Sequence, residues 1–283
     1  MELRKSERSK AKIKMALQGS SGSGKTMSAL LIAKGLTNSN LSKVAVICSE
    51  NGSADLYAHV GNYNIIKLKS FSPNDYVEAI TMCENAGMEV IIIDSISHCW
   101  NYLLDYHASL PGNSFTNWQK INPMEKKFID KILQCNAHVI ATMRVKQDYV
   151  LNDKNGKMVP EKVGLKAIQR DSIDFEFTIV LDVDIKHNAV ASKDRTQLFD
   201  GLPPFVITEA TGKTILDWCN ATVKPTYFVH GDILSLINAC KSLEELTLLY
   251  QTNPDVRKYD AELQERATYL RKSNTSSNGI GKH

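Results

Sequence analysis

The stretch Gly19-Ser20-Ser21-Gly22-Ser23-Gly24-Lys25-Thr26-Met27 sets small and hydroxyl-bearing residues directly before one lysine and one threonine. Its spacing, Gly-x-x-x-x-Gly-Lys-Thr, is that of a phosphate-binding loop. Glycines let the backbone wrap tightly, so that successive N–H groups converge on an anion. Lys25 supplies a cation for the terminal phosphates, and the Thr26 hydroxyl supplies a hard oxygen for Mg2+. An apolar helical pattern follows over 25–36 and aims its positive dipole end at the same point. A Gly/Ser linker can match this spacing by chance, but a linker does not sit between a strand and an amphipathic helix. The loop needs a carboxylate at the end of a neighbouring strand to hold the metal through water. Asp94 ends the apolar run "VIIID" and supplies it, although a strand-end aspartate can also simply cap a turn. ATP with Mg2+ is the ligand this chemistry implies.

Those residues need a frame. Residues 12–18 read as a strand, 25–36 as a helix, and 43–50 as a buried β-branched strand. A short strand follows at 64–70, then a helix that starts after Ser72 and ends at Gly87, then the strand 88–95. A helix at about 118–135 and a strand at 138–144 complete the alternation, with 101–117 between them as a loop region. Strands that are apolar throughout, alternating with helices, predict a mostly parallel sheet covered on both faces. From 145 the pattern changes to a hairpin turning at Asn155-Gly156, then antiparallel strands over 175–184 and 188–194. After Pro225 three helical segments follow, the second opened by the capping box Ser242-Leu-Glu-Glu245. The domain expectation is a basic arm at 1–11, a core at 12–222, a helical region at 223–272 and a disordered tail at 273–283.

Composition excludes several classes. The chain has 283 residues and a formal net charge of only +3, so it is not a basic nucleic-acid binder by bulk charge. Its six cysteines are scattered without a CxxC pair, which points to reduced, buried thiols. His98 and His107 have no partners at ligand spacing, so no zinc site is expected. No apolar stretch is long enough to cross a bilayer, and the basic N-terminus lacks the apolar stretch of a signal peptide. A soluble cytoplasmic protein is expected.

The order of motifs resembles the RecA-like ATPase core over residues 12–215. In that family a glutamate ends the strand after the loop helix and polarises the attacking water, and a tyrosine seven residues on stacks on adenine. Glu50 and Tyr57-Ala58 keep that spacing. Glu50 can otherwise be a loop carboxylate, and Tyr57 an aromatic packed on the sheet. The family's next strand ends in a polar sensor, a glutamine in RecA; here Thr142 stands in that place, as a shorter sensor or a plain strand-end hydroxyl. "SKDRT" resembles the Lys-x-Arg element of hexameric relatives, whose two cations reach the γ-phosphate of a neighbouring subunit. Lys193 and Arg195 match it, a solvated basic turn being the alternative. The whole pattern looks most like phage-encoded minimal RecA-like ATPases of the AAA type, associated with recombination and single-strand annealing. That resemblance implies a bacterial or phage-infected cytoplasm, a ring or filament of copies, single-stranded DNA, and phage single-strand-binding or replication proteins as partners.

Local charge supports a nucleic-acid surface. Between 144 and 170 lie seven cations (Arg144, Lys146, Lys154, Lys157, Lys162, Lys166, Arg170) and three acids. Tyr149 offers a stacking platform among them, in the segment where RecA-like proteins place a DNA-contacting loop. An ordinary solvated hairpin is the plainer reading. The basic N-terminus, Arg4 to Lys14, is a second candidate surface. Trp100 and Trp118 are expected in the core, with contact to bases or to a neighbouring subunit as the alternative. The sequence-level reading is therefore an α/β RecA-like ATPase acting on DNA. A nucleotide-gated loader with little turnover and a small-molecule kinase are the alternatives.

Overall fold

A computed structural model describes residues 11–50, 52–154, 157–170, 173–221, 234, 237–238, 240–252, 256 and 258–277, with side chains left undescribed mainly over 147–165 and 272–277. The chain divides into two compact units, Met1–Thr222 and Val223–His283.

The first unit is built on a mixed sheet. Its strands are β1 (Lys14–Gly19), β2 (Val44–Cys48), β3 (Asn64–Lys67), β4 (Val90–Asp94), β5 (His138–Lys154), β6 (Lys157–Ala167), β7 (Ile179–Val183), β8 (Asn188–Asp194) and β9 (Phe205–Val206). The order is β3-β2-β4-β5-β1-β7-β8-β9, with β6 paired to β5. From β3 to β7 every neighbouring pair is parallel; β8 and β9 add antiparallel strands at one edge. This is the mostly parallel α/β sheet expected of a RecA-like P-loop fold.

Helices α1 (Lys25–Leu36), α2 (Pro73–Asn85), α3 (Ser97–Ser109), α4 (Ser114–Gln134) and α5 (Glu209–Asn220) cover it. Successive residues of a strand point to opposite faces, so each buried strand feeds two layers. Along β4, Val90 and Ile92 pack with α1 and α5, while Ile91 and Ile93 pack with α2 and α4. That is why "VIIID" is apolar throughout instead of alternating. The Ser72 hydroxyl accepts from the Asp75 N–H at 3.3 Å, Pro73 occupies the first turn, and α2 starts there.

Several elements depart from expectation. The region 101–117, expected as a loop, is largely α3 and the start of α4. Helix α3 buries only Ser97, Cys99 and Leu103, a stripe too narrow to stand out among its aromatics. Helix α4 begins at Ser114, where the Asn113 side chain accepts from the Phe115 N–H at 2.8 Å. Helix α5 carried no helical expectation, because Gly212 and its threonines are weak helix formers. Its Gly212 is required by closeness: a Cβ there would lie 2.0 Å from the Ile32 carbonyl oxygen, and one at Gly35 would lie 2.1 Å from that of Glu209. Thr211, Ile215 and Cys219, all buried and four apart, are the stripe that marks it. Lys14, on the expected strand but counted with the basic N-terminus as a candidate surface, is instead buried on β1 and donates to the Cys135 and Ala137 carbonyls at 2.7 and 2.5 Å. The hairpin turn at 155–156 and residues 1–10 lie outside the described residues.

In the second unit, α6 (Leu243–Thr252) and α7 (Asp260–Ser277) share a core of Ile237, Cys240, Leu246, Val256, Leu263 and Leu270. The Ser242 hydroxyl caps the Glu245 N–H at 3.1 Å, and the Glu245 carboxylate reaches back to the Lys241 N–H at 2.6 Å. Helix α7 runs to Ser277, past the expected start of a disordered tail at 273. The first helical segment after Pro225 lies mostly outside the described residues. All six cysteines are buried thiols. Among the described residues no helix is long and apolar enough to cross a membrane.

Candidate functional site

The loop after β1 turns on two glycines in the left-handed region, Gly22 at φ 81° and Gly24 at φ 87°. A side chain at either position would be strained. At Gly19 a Cβ would lie 2.4 Å from the Val183 carbonyl oxygen, so only glycine fits there. The loop is pressed against the β7–β8 turn. Ile185 lies against Gly22, and His187 Nδ1 is 3.0 Å from the Ser23 carbonyl oxygen. Gly24 then opens α1, and the Ser28 N–H donates to its carbonyl at 2.9 Å. Lys25, mostly buried, donates to the carbonyls of Gly19 and Ser20 at 2.9 and 2.8 Å. Burial holds its pKa below the ordinary lysine value, while Asp94 and then Glu50 oppose the shift.

The end of β4 brings Asp94 beside this loop. The carboxylate is 2% exposed, and each of its oxygens accepts one hydroxyl. Thr26 donates to Oδ2 at 2.7 Å and Thr142 to Oδ1 at 2.5 Å. Burial raises the Asp94 pKa above the usual carboxylate range, against the two hydroxyl hydrogen bonds. Thr142 is fully buried, so its hydroxyl orients Asp94 and does not face the loop mouth. The pair of Thr26 and Asp94 is an all-oxygen set of the kind a hard divalent cation takes. These residues therefore fit Mg2+ bound together with a nucleotide. Among the described residues no group of three or more His, Cys, Asp or Glu forms a separate metal cluster.

A cavity of about 480 Å3 opens above the loop. Its walls include Ser21, Lys25, Thr26, Met27, Asp94, Glu50 and Tyr57, so the cavity gathers residues from four separate elements. Tyr57 both lines the cavity and packs against the core layer of α1. On the other side stand His187, Val206 and Ile207, none of which carried a sequence signal for this role. They arrive through the β7–β8 turn and β9, whose closeness to the loop only the sheet order establishes.

Arg144 is also here, and not out on the hairpin. Its Nε donates to Glu50 Oε1 at 2.9 Å, and its Nη2 lies 2.8 Å from the same oxygen. Lys146 and Lys166 are exposed and directly opposite each other at the hairpin base. Tyr149 is opposite Lys162, and Lys154 opposite Lys157, in the same ladder. Their side chains lie outside the described part. Arg170 pairs with the buried carboxylate of Glu125. Lys193 and Arg195 do not line the cavity of their own chain. Lys193 donates to the Asp174 and Phe175 carbonyls, both at 2.7 Å, and Arg195 to that of Phe175 at 3.1 Å. Trp100 and Trp118 are not in either core layer. They stack on each other at 6.0 Å between α3 and α4, with His107 on Trp118 at 4.4 Å.

A family model described as an AAA domain matches residues 11–216. Among curated proteins no significant match is found. Among solved structures the chain is similar to a KaiC-like protein from the hyperthermophilic archaeon Pyrococcus horikoshii OT3. That likeness has 18% identity and a TM-score of 0.42, covering 70% of this chain and 86% of that one.

Proposed function

The chain belongs to the AAA domain family, and from that premise we propose that it is a Mg2+-dependent ATPase that self-assembles and acts on single-stranded DNA. Membership makes it a nucleotide-binding P-loop NTPase domain. The observation that carries the hydrolytic reading is the convergence of Lys25, Thr26, Glu50 and Asp94 on one cavity.

The loop N–H groups of 19–24 and the α1 dipole bind the phosphates, and Lys25 follows charge onto the terminal one. Thr26 and Asp94 hold the cation, and Thr142 keeps Asp94 in place. Held there, Mg2+ would supply positive charge for the phosphoryl oxygens. Glu50 orients the attacking water and accepts its proton. Tyr57 stacks on the adenine. Lys193 and Arg195 reach the terminal phosphate of a neighbouring copy, which requires a head-to-tail ring or filament.

The DNA role is supported by the cation-rich β5–β6 hairpin, which leaves the sheet immediately beyond the cavity. The role in phage-type recombination or annealing is supported by the order of motifs over 12–215. A second reading, a nucleotide-gated loader with little turnover, is favoured by one observation: Glu50 is engaged by Arg144.

The test is phosphate release with and without a single-stranded oligonucleotide across a salt series. The ATPase reading expects Mg2+-dependent release of free phosphate that Lys25→Ala lowers about 100-fold or more, the scale of losing one phosphate-stabilising group. Nucleotide binding without release supports the loader. A phosphorylated acceptor in place of free phosphate indicates a kinase. A rate indifferent to the oligonucleotide at every salt concentration removes the DNA role and leaves the ATPase standing.

A further inference from the structure

Arg144 occupies a junction. In β5 it is the last residue in register with the loop strand, directly opposite Gly19, and the next residue, Val145, is already paired with Ala167 in the hairpin. Its N–H donates to the Ser97 hydroxyl at the start of α3 at 3.0 Å, and its carbonyl accepts from the Ile168 N–H at 2.7 Å. The backbone of Arg144 is thus tied to α3 on one side and to the returning hairpin strand on the other. Its side chain reaches back into the nucleotide cavity and ends on Glu50.

The geometry of that contact matters. Both guanidinium donors converge on a single oxygen, Glu50 Oε1. A carboxylate that takes a proton from water needs negative charge and a lone pair turned toward that water. A guanidinium fork on the carboxylate neutralises the charge and fixes its rotamer. The pair is only partly exposed, with 41% of the Arg144 side chain and 27% of the Glu50 side chain accessible. Such a contact is strong enough to hold and weak enough to break.

We propose that Arg144 is a positioning residue that restrains Glu50, holding basal hydrolysis below what the site can deliver. This rests on the ATPase reading and deepens it. Because Arg144 begins the hairpin, anything that displaces the hairpin strand by an ångström or so pulls the guanidinium off Glu50.

The experiment measures basal phosphate release, without nucleic acid, for Arg144→Gln, Arg144→Lys, Glu50→Gln and the double variant of Arg144→Gln with Glu50→Gln. Binding of a fluorescent ATP analogue is measured alongside. Arg144→Gln should raise kcat about fivefold, the worth of a partly exposed ion pair, with KM for ATP and analogue affinity unchanged. Arg144→Lys should lie between it and the wild type, because one ammonium cannot reproduce the fork. The double variant should fall to the rate of Glu50→Gln, since the restraint acts only through that carboxylate. A rate for Arg144→Gln at or below wild type overturns the proposal. So does a gain that survives in the double variant, or a matching loss of analogue affinity. Failure of the ATPase reading looks different: no variant, wild type included, releases phosphate, although the analogue still binds in a Lys25-dependent way.

Discussion

Asp94 concentrates the conflict between stability and function at the residue level. The fold buries a carboxylate and satisfies it with two hydroxyls; in the proposed function its charge is left for a cation to balance. Burial favours the neutral acid, so the folded chain holds its proton more tightly than the unfolded chain. The sign follows: the charged carboxylate costs stability once the pH exceeds the unfolded carboxylate value, and the cost is complete above the raised folded one. Asp94→Asn removes the charge with little change of shape. In thermal melts at neutral pH without nucleotide, the variant should be about 2–4 °C more stable, a gain of order 1 kcal/mol. It should also lose the Mg2+-dependent part of nucleotide affinity, read by titration with and without the metal. A variant no more stable than the wild type would mean that the two threonine hydroxyls already offset the burial.

At the level of elements, the cradle depends on how β1 and β5 are joined at their far end. His138 opens β5, is 3% exposed, and accepts the Ile13 N–H on Nδ1 at 3.1 Å. Burial first, and then Lys12 and Lys14, push its pKa down to about 3. In the unfolded chain the same ring takes a proton near pH 6.5, so the unfolded state gains protons first. Stability is therefore fully present above that value and is lost as the pH falls toward 3. Each pH unit inside the window costs up to about 1.4 kcal/mol. Urea midpoints followed from pH 7 to 4 should fall along this limb. His138→Asn, which keeps an acceptor for Ile13 but does not titrate, should flatten the limb. An unchanged slope would place the titrating group elsewhere.

For the whole molecule, the question is what Lys193 and Arg195 do. In the chain by itself they donate to the carbonyls at the end of the 173–175 turn, and burial keeps the Lys193 pKa low. If they serve a neighbour's phosphate, Lys193→Ala should bind nucleotide normally yet hydrolyse it at least about tenfold more slowly. Mixing it with Lys25→Ala should then restore part of the rate. In a mixed assembly, an intact cradle meets an intact finger at some interfaces. Full wild-type activity in dilute, demonstrably monomeric protein would show that the cations are structural caps.

The amino-acid sequence alone determined the glycine loop, the aspartate that closes a buried strand beside it and the strand–helix alternation around them. Those signals are local: glycines required by a turn, an aspartate closing an apolar strand, and a helix beginning at a lysine. They are legible because backbone sterics and hydrophobic periodicity act over a few residues. Helix α5 escaped because its Gly212, unfavourable in an isolated helix, is justified only by its contact with α1. His187 and Val206 entered the cavity only through the order of β1, β7, β8 and β9. Arg144 is the clearest case. Its charge joined the hairpin cations in sequence, and only the parallel pairing of β5 with β1 and β4 turned it toward Glu50. Contacts between residues 94 positions apart follow from sheet order, which no local pattern encodes.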